Sequence, residues 1–405
     1  MKNKMEQLFG TKEEMFLGIA LMLGLLLPHT STTFMLVNPI LCMIFIFTKG
    51  HNFCKYGWAP ITAIIISMLI NSAGAASGKS ILTATSILLC LAAFPMVSGT
   101  KLKNVYIYIC FGIILLSQVA YMFHLGFITT ILDTVYPITW GEDFITIANA
   151  NANFDNYLDF RLGGLYRNPN HCAKYVTFLM AIFIATNASE KKIKDQVIFL
   201  GLCYFSVIMT GSRTGFIISS ILIMLALFRN QKTTGVMKVF VIAIVAGLLI
   251  YNYMSGGGGR GASIEAGFHG SADMKWLLLM DYLSQETSII YYMFGHLDLR
   301  LFNPTLVVEY SFDAEYGYII YCFGFTGLLA FIYYLYQLFL HLDKTKRVFF
   351  VAALWMITSS IFMAYRAVFV FMLLLSTIYD NKKGIQQTAK KEKLCAADRV
   401  VGANS

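Results

Sequence analysis

The sequence predicts an all-α, polytopic integral membrane protein of about twelve transmembrane helices with two long extracytoplasmic loops. Three observations carry that expectation. Hydrophobic residues make up 57% of the 405 and charged residues only 13%, against about 25% charged in ordinary soluble domains. Apolar runs of roughly 16 to 25 residues recur along the chain, the length that spans hydrocarbon as a helix. Basic residues fall unevenly on the two sides that those runs define.

In order, the runs cover residues 14 to 29, 33 to 48, 57 to 73, 80 to 97, 104 to 124, 170 to 187, 196 to 210, 213 to 228, 236 to 254, 315 to 341, 348 to 363 and 367 to 380. They are too long and continuous for barrel strands, which alternate over about 10 residues. Helices are then the remaining way to satisfy the backbone inside a bilayer. The first run has no small-residue cleavage site after a short core, so it reads as an uncleaved anchor with a cytoplasmic N-terminus. Residues 1–380 form one membrane domain, and 381–405 a polar, lysine-rich cytoplasmic tail expected to be disordered beside anionic lipid.

Charge tests this topology. With both termini inside, the inner segments and the tail hold 22 of the 31 basic residues, and the outer segments hold 13 of the 22 acids. That is the positive-inside pattern of a bacterial-type membrane protein. The net charge of +9 is therefore an orientation signal, and its scatter over inner loops excludes a nucleic-acid stripe. Eight cysteines show no CxxC, and Cys42, Cys90, Cys110, Cys203 and Cys322 lie within apolar runs as small hydrophobes. Neither a zinc site nor a disulfide frame is indicated, and no cofactor is implied.

Polar sequence is concentrated in two outer segments, about 125–169 and about 255–314. Loops longer than about 12 to 15 residues are usually functional or disordered. The first contains Asp133, Glu142, Asp143, Asp155, Asp159, Arg161 and Arg167. The second contains Arg260, Asp273, Lys275, Asp281, Glu286, His296, Asp298, Arg300, Glu309 and Asp313. It opens on Ser255-Gly256-Gly257-Gly258-Gly259, either a flexible linker or a hinge for substrate entry. Ala272 to Tyr292 is apolar and aromatic-rich, which predicts a helix lying on the membrane surface. No Asp, Glu, Lys or Arg falls near the centre of any run, whereas ion-coupled transporters place ionisable groups near the midplane.

One stretch stands apart: Gly211-Ser212-Arg213-Thr214-Gly215-Phe216 sets an arginine between two long apolar runs, at the predicted outer mouth of a helix. Near hydrocarbon a guanidinium costs about 2.5 to 3.5 kcal/mol, so it either snorkels to headgroups or meets an anionic partner.

Four stretches resemble the bacterial polysaccharide repeat-unit polymerases (Wzy type) and the related O-antigen ligases. Arg161 to His171, with a glycine pair and then Asn168-Pro169-Asn170, is similar to the family's glycine pair and Asn-Pro-Asn at a helix start. Gly211 to Phe216 resembles its Ser-Arg-x-Gly motif, and Gly259-Arg260 followed by Trp276 resembles the opening of its large outer loop. Asp313-Ala314-Glu315-Tyr316-Gly317 through Gly324-Phe325-Thr326-Gly327 is similar to the loop's closing acid and the following helix. Ligases commonly show His-Asn where this chain has Phe312-Asp313-Ala314, a departure that leans towards polymerase.

The resemblance implies glycosyl transfer outside the bacterial cytoplasmic membrane, from an undecaprenyl-diphosphate-linked glycan to a hydroxyl of a second lipid-linked unit. It implies membrane lipid and a chain-length regulator as partners, with no nucleic acid. A lipid diphosphate gains charge as it leaves, and arginines answer it with planar, bidentate donors. Arg213 is the first candidate, then Arg260, Arg167 and Arg300, with Asn170 and Glu315 as further binding residues. Candidates for accepting the acceptor's proton are Asp313, which matches the family position, Glu315, His296 and His171. The one partial Asp-x-Asp match, Asp298-Leu299-Arg300, lacks its second acid, so a metal-independent reaction is expected. The alternatives are a ligase acting on lipid A-core and a lipid-linked glycan flippase.

Overall fold

The computed structural model describes residues 2–28, 37–49, 55–71, 78–93, 100–136, 162–166, 168–187, 193–229, 274–297, 301–303, 308–310, 314–359, 361–362 and 364–379. The predicted run 236 to 254, the glycine run Gly256 to Gly259 and the tail lie outside them.

The helices are α1 Lys2–Phe9, α2 Lys12–Leu26, α3 Val37–Lys49, α4 Trp58–Asn71, α5 Gly78–Ala93, α6 Asn104–Met122, α7 Gly126–Val135, α8 Pro169–Thr186, α9 Ile193–Met209, α10 Arg213–Arg229, α11 Met274–Gln285, α12 Ile289–Phe294, α13 Glu315–His341 and α14 Tyr365–Ile378. Three 3₁₀ segments, Lys55–Gly57, Gly164–Tyr166 and Lys346–Ile357, join them. The α-helices thus fall on ten of the twelve predicted runs, and the 3₁₀ helix Lys346–Ile357 falls on an eleventh. Among the described residues, α6 and α13 are long and apolar enough to cross a membrane by length and composition, and shorter apolar helices accompany them.

The all-α expectation is met, with one short strand pair beside the helices. Strands β1 Leu301–Asn303 and β2 Val308–Tyr310 pair antiparallel, with Phe302 opposite Glu309. Phe302, Val308 and Tyr310 are aromatic or β-branched residues that favour strands.

Bonds between elements sort the helix ends into two groups. At one end Lys103 reaches Glu14 at 3.9 Å, Asn104 bonds Asn187 at 2.7 Å, Tyr56 bonds His341 at 2.9 Å and Lys346 donates to the Ile378 carbonyl at 3.0 Å. At the other end Gln118 donates to the Leu162 and Ser206 carbonyls at 3.0 and 3.1 Å, Asn71 donates to the Gly295 carbonyl at 3.1 Å, and Arg366 donates to the Gly24 carbonyl at 2.7 Å. Each contact joins ends that an alternating up-and-down path puts on one side. The side holding residues 104, 187, 341 and 346 is the lysine-rich side of the charge count.

Two helices form the middle. α8 is buried continuously from Cys172 to Ala185 and α14 from Arg366 to Tyr379 at its C-cap, as expected of helices apolar all round. Beside them runs the 3₁₀ segment Lys346–Ile357, where the sequence predicts an ordinary helical span beginning at 348. Its buried side chains are Phe349, Ala352 and Trp355. That spacing of three is the period of a 3₁₀ helix, in which i and i+3 eclipse. At about 2.0 Å rise per residue such a coil covers distance faster than an α-helix.

α13 is kinked at Gly324, whose backbone (φ 67°, ψ −172°) leaves the helical region. A kink releases carbonyls from the i to i+4 ladder, and each needs a new donor. His296 N–H takes the Tyr321 carbonyl at 2.8 Å, and Leu297 N–H and Ser67 Oγ take that of Cys322 at 3.1 and 2.8 Å. The turn after α12 is thereby fixed onto the kink.

Candidate functional site

The turn before α8 is built from buried polar bonds. Ser117 Oγ accepts from Leu165 N–H at 3.0 Å, Tyr166 Oη donates to the Leu25 carbonyl at 3.0 Å, and Leu162 N–H donates to the Met209 carbonyl at 2.9 Å. Asn168 then caps α8, its Oδ1 accepting from Asn170 N–H at 2.9 Å, with Pro169 in the first turn. This is a strong helix start: the cap fills one orphan donor and proline removes another. Asn170 is exposed and His171 half-buried on that turn.

Arg213 opens α10 beside it. Gly211 turns the chain with φ +59°, and Ser212 Oγ accepts from Gly215 N–H at 3.3 Å. Gly215 then lets α10 close on α8, since a Cβ there would lie 2.6 Å from Ala173 Cβ and 3.3 Å from Trp355 Cζ2. The two helices run parallel, and their N-termini meet at one end. Arg213 is exposed at that end, whereas Lys174, one turn into α8, is 1% exposed with its Nζ 5.9 Å from the Trp355 ring centre. Trp355 Nε1 donates to Thr177 Oγ1 at 2.8 Å and ties the 3₁₀ segment to α8.

α14 and α13 begin at the same end. Arg366 is buried and donates to the Gly24, Leu25 and Leu27 carbonyls, capping α2, while its guanidinium lies 5.2 Å from the Tyr166 ring centre and 5.8 Å from that of Tyr175. Glu315, 1% exposed, accepts from Ile361 N–H and from Phe362 N–H at 2.9 Å. It occupies the first turn of α13, where a carboxylate suits the positive end of the dipole. Of the four N-termini, those of α8, α10 and α14 carry no acid in their first turn, and α8 and α10 are the two that meet beside Arg213. Partial positive charge of both helices therefore adds to the Arg213 guanidinium.

His296 lies on the kink of α13. Its Nε2 is 2.5 Å from Glu286 Oε2, and its ring stacks on Tyr291 with centroids 4.1 Å apart. Tyr282 and Tyr321 close the sides at 5.9 and 5.4 Å. Burial pushes the Glu286 carboxyl up, but donation from Ser288 N–H, from His296 and from Thr287 N–H outweighs it, and the net shift is downward. Burial, with the Glu286 charge added, pushes the Tyr282 phenol well up, so Tyr282 stays a neutral donor. Its hydroxyl is buried with no hydrogen-bond partner among the described residues.

Of the candidate residues read from the sequence, Arg213, Asn170, His171, His296 and Glu315 are described. Arg213, Asn170 and His171 gather at the α8 and α10 starts, His296 stands on the turn against α13 and α4, and Glu315 binds the segment between the 3₁₀ helix and α14. Arg161, Arg167, Arg260, Arg300 and Asp313 lie outside the described residues. Sequence reasoning gave no part to Lys174, Arg366 or Glu286. Arg366 had a signal, because Tyr365-Arg366-Ala367 opens the last apolar run as Arg213 opens an earlier one. Glu286 had none, because its meeting with His296 depends on the bend between α11 and α12.

Among the described residues no group of three or more His, Cys, Asp or Glu is placed to hold a metal ion. No protein-family model matches the chain, and no curated protein matches it.

Proposed function

We propose that this chain is a glycosyltransferase of the bacterial cytoplasmic membrane. In this reading it joins undecaprenyl-diphosphate-linked oligosaccharide repeat units into O-antigen or another surface polysaccharide on the outer face. It has about twelve spans and cytoplasmic termini. Three features support the membrane reading: helices on eleven of twelve runs, contacts that pair helix ends as an alternating path requires, and large apolar side chains turned outward, such as Phe47, Phe127 and Leu329. A soluble monomer rarely exposes so much apolar surface.

The observation that carries the catalytic reading is Arg213, exposed where the N-termini of α8 and α10 meet. The donor's anomeric bond breaks towards a lipid diphosphate, whose negative charge grows in the transition state. A guanidinium and two helix ends preorganised at that point stabilise the developing charge more than the ground state. Arg167, Arg260 and Arg300 extend this grip in the proposal, with Asn170 on the glycan and Asp313 at the acceptor. Arginines take the part that a metal ion plays in nucleotide-sugar enzymes, and the reaction is metal-independent.

The test is a strain whose copy carries Arg213→Ala. Removing one such donor costs about 10²- to 10³-fold in rate, so polymer should vanish, leaving single repeat units on the surface lipid at unchanged protein level. Normal polymer would reject the proposal. Long polymer accumulating on the undecaprenyl carrier would indicate a ligase. Purified protein that moves lipid-linked units across proteoliposomes without elongating them would indicate a flippase.

A further inference from the structure

We propose that Glu286 and His296 form a proton-accepting couple, with His296 Nδ1 taking the proton of the acceptor sugar hydroxyl and Glu286 acting as the positioning residue. This rests on the glycosyl-transfer reading above and names the group that completes it.

The geometry fixes each part. Glu286 uses both oxygens: Oε1 accepts from Ser288 N–H at 2.8 Å and Oε2 faces His296 Nε2 at 2.5 Å. An ionised carboxylate accepts only, so Nε2 must donate, and a neutral imidazole then carries its lone pair on Nδ1. No described residue bonds Nδ1, and the side chain keeps 28% of its surface. The ring cannot wander, because the His296 backbone is bonded to the Tyr321 carbonyl and its face is stacked on Tyr291. The titratable groups around the couple are Tyr282 on α11, Tyr291 and Tyr292 on α12, and Tyr321 and Cys322 on α13. Among the described residues none of them brings a second charge. The aromatic side chains around the couple are of the kind that suit the C–H faces of a sugar ring.

The step balances without a further reagent. The acceptor oxygen forms a bond to the donor's anomeric carbon while the bond from that carbon to the diphosphate oxygen breaks. The leaving diphosphate keeps the electron pair, and the acceptor's proton goes to His296 Nδ1, from which water or the diphosphate removes it.

Glu286→Gln separates positioning from folding. The amide carbonyl stays on Ser288 N–H, so the amide nitrogen faces Nε2, and the imidazole proton must move to Nδ1. Purified full-length protein with ¹⁵N-labelled histidine should show the His296 proton on Nε2 in wild type and on Nδ1 in Glu286→Gln. In proteoliposomes containing lipid-linked repeat units, kcat should fall about 100-fold for Glu286→Gln and for His296→Gln, with KM within twofold, as expected of a lost base. A wild-type proton on Nδ1, or Glu286→Gln elongating at the wild-type rate, would overturn the couple. Wild-type protein that elongates nothing would instead defeat the polymerase reading, and the catalytic role of the couple with it.

Discussion

Gly295 and Gly324 interlock. A Cβ on Gly295 would strike the Cys322 carbonyl and Phe323 nitrogen, and one on Gly324 would strike the Met293 carbonyl and Phe294 nitrogen. Both residues also have positive φ, 72° and 67°. The kink in α13 and the turn carrying His296 are thus one feature, since neither backbone can approach the other unless both positions lack a side chain. Freed carbonyls on the kinked helix are then met by N–H groups of the turn, which makes the contact polar as well as close.

Gly324→Ala should therefore cost about 2 kcal/mol or more, from backbone strain together with overpacking. Thermal melting of the purified protein reads it. Gly201→Ala is the control, because nothing lies within 4 Å of a Cβ there and the helix gains from alanine. Equal melting temperatures for the two variants would show that the interlock does not hold the turn.

Gly215→Ala should loosen the junction of α8 and α10 by about 1 to 3 kcal/mol, the usual cost of an inserted methyl in a tight contact. Its Cβ would lie 2.6 Å from that of Ala173. Adding Ala173→Gly removes the closest obstacle and should restore most of the loss, a coupling that additive effects of separate sites would not give. Because Arg213 stands two residues before the contact, activity should follow stability through this pair.

The legible part of the fold was what hydropathy controls. Apolar runs marked helix positions to within a few residues, since a helix in an apolar surrounding needs a continuous apolar stretch. Asn168-Pro169 and Ser212-Arg213 marked two helix starts through capping chemistry, and these set the place of Arg213 and Asn170. The 3₁₀ form of Lys346–Ile357 was harder to see, because its apolar residues fit either coil until burial shows the row Phe349, Ala352 and Trp355. Least legible were long-range polar meetings. Glu286 with His296, Glu315 with Ile361 and Phe362, and Arg366 with the end of α2 depend on how separate segments bend and dock, and no local pattern encodes them.

Glu315 gives a case where position and bonding lead to different expectations. The resemblance made it a candidate substrate-binding residue and a candidate base, yet the carboxylate is buried and bonded to two backbone N–H groups. Glu315→Ala should strand both donors at about 1 to 3 kcal/mol each, so the protein should accumulate poorly. Glu315→Gln keeps an acceptor and should fold with a smaller loss. If Glu315→Gln melts like wild type but loses elongation, the carboxylate acts on substrate; if both fall together, its task is to hold the start of α14.

Acid should weaken the loop that carries His296. The folded Glu286 carboxyl lies below its ordinary range because Ser288 N–H, His296 and Thr287 N–H outweigh its burial. A carboxyl lowered on folding contributes stability that is complete above its unfolded value and is lost as pH falls through the folded one. Wild-type protein should thus melt progressively earlier as pH drops from about 5 towards 3, across the carboxylate range. Glu286→Gln lacks the titrating group, so its melting temperature should start lower near neutrality and converge on the wild-type curve in acid. Parallel curves would mean that the couple contributes nothing to the folded state, and that Ser288 N–H and His296 are held by the backbone alone.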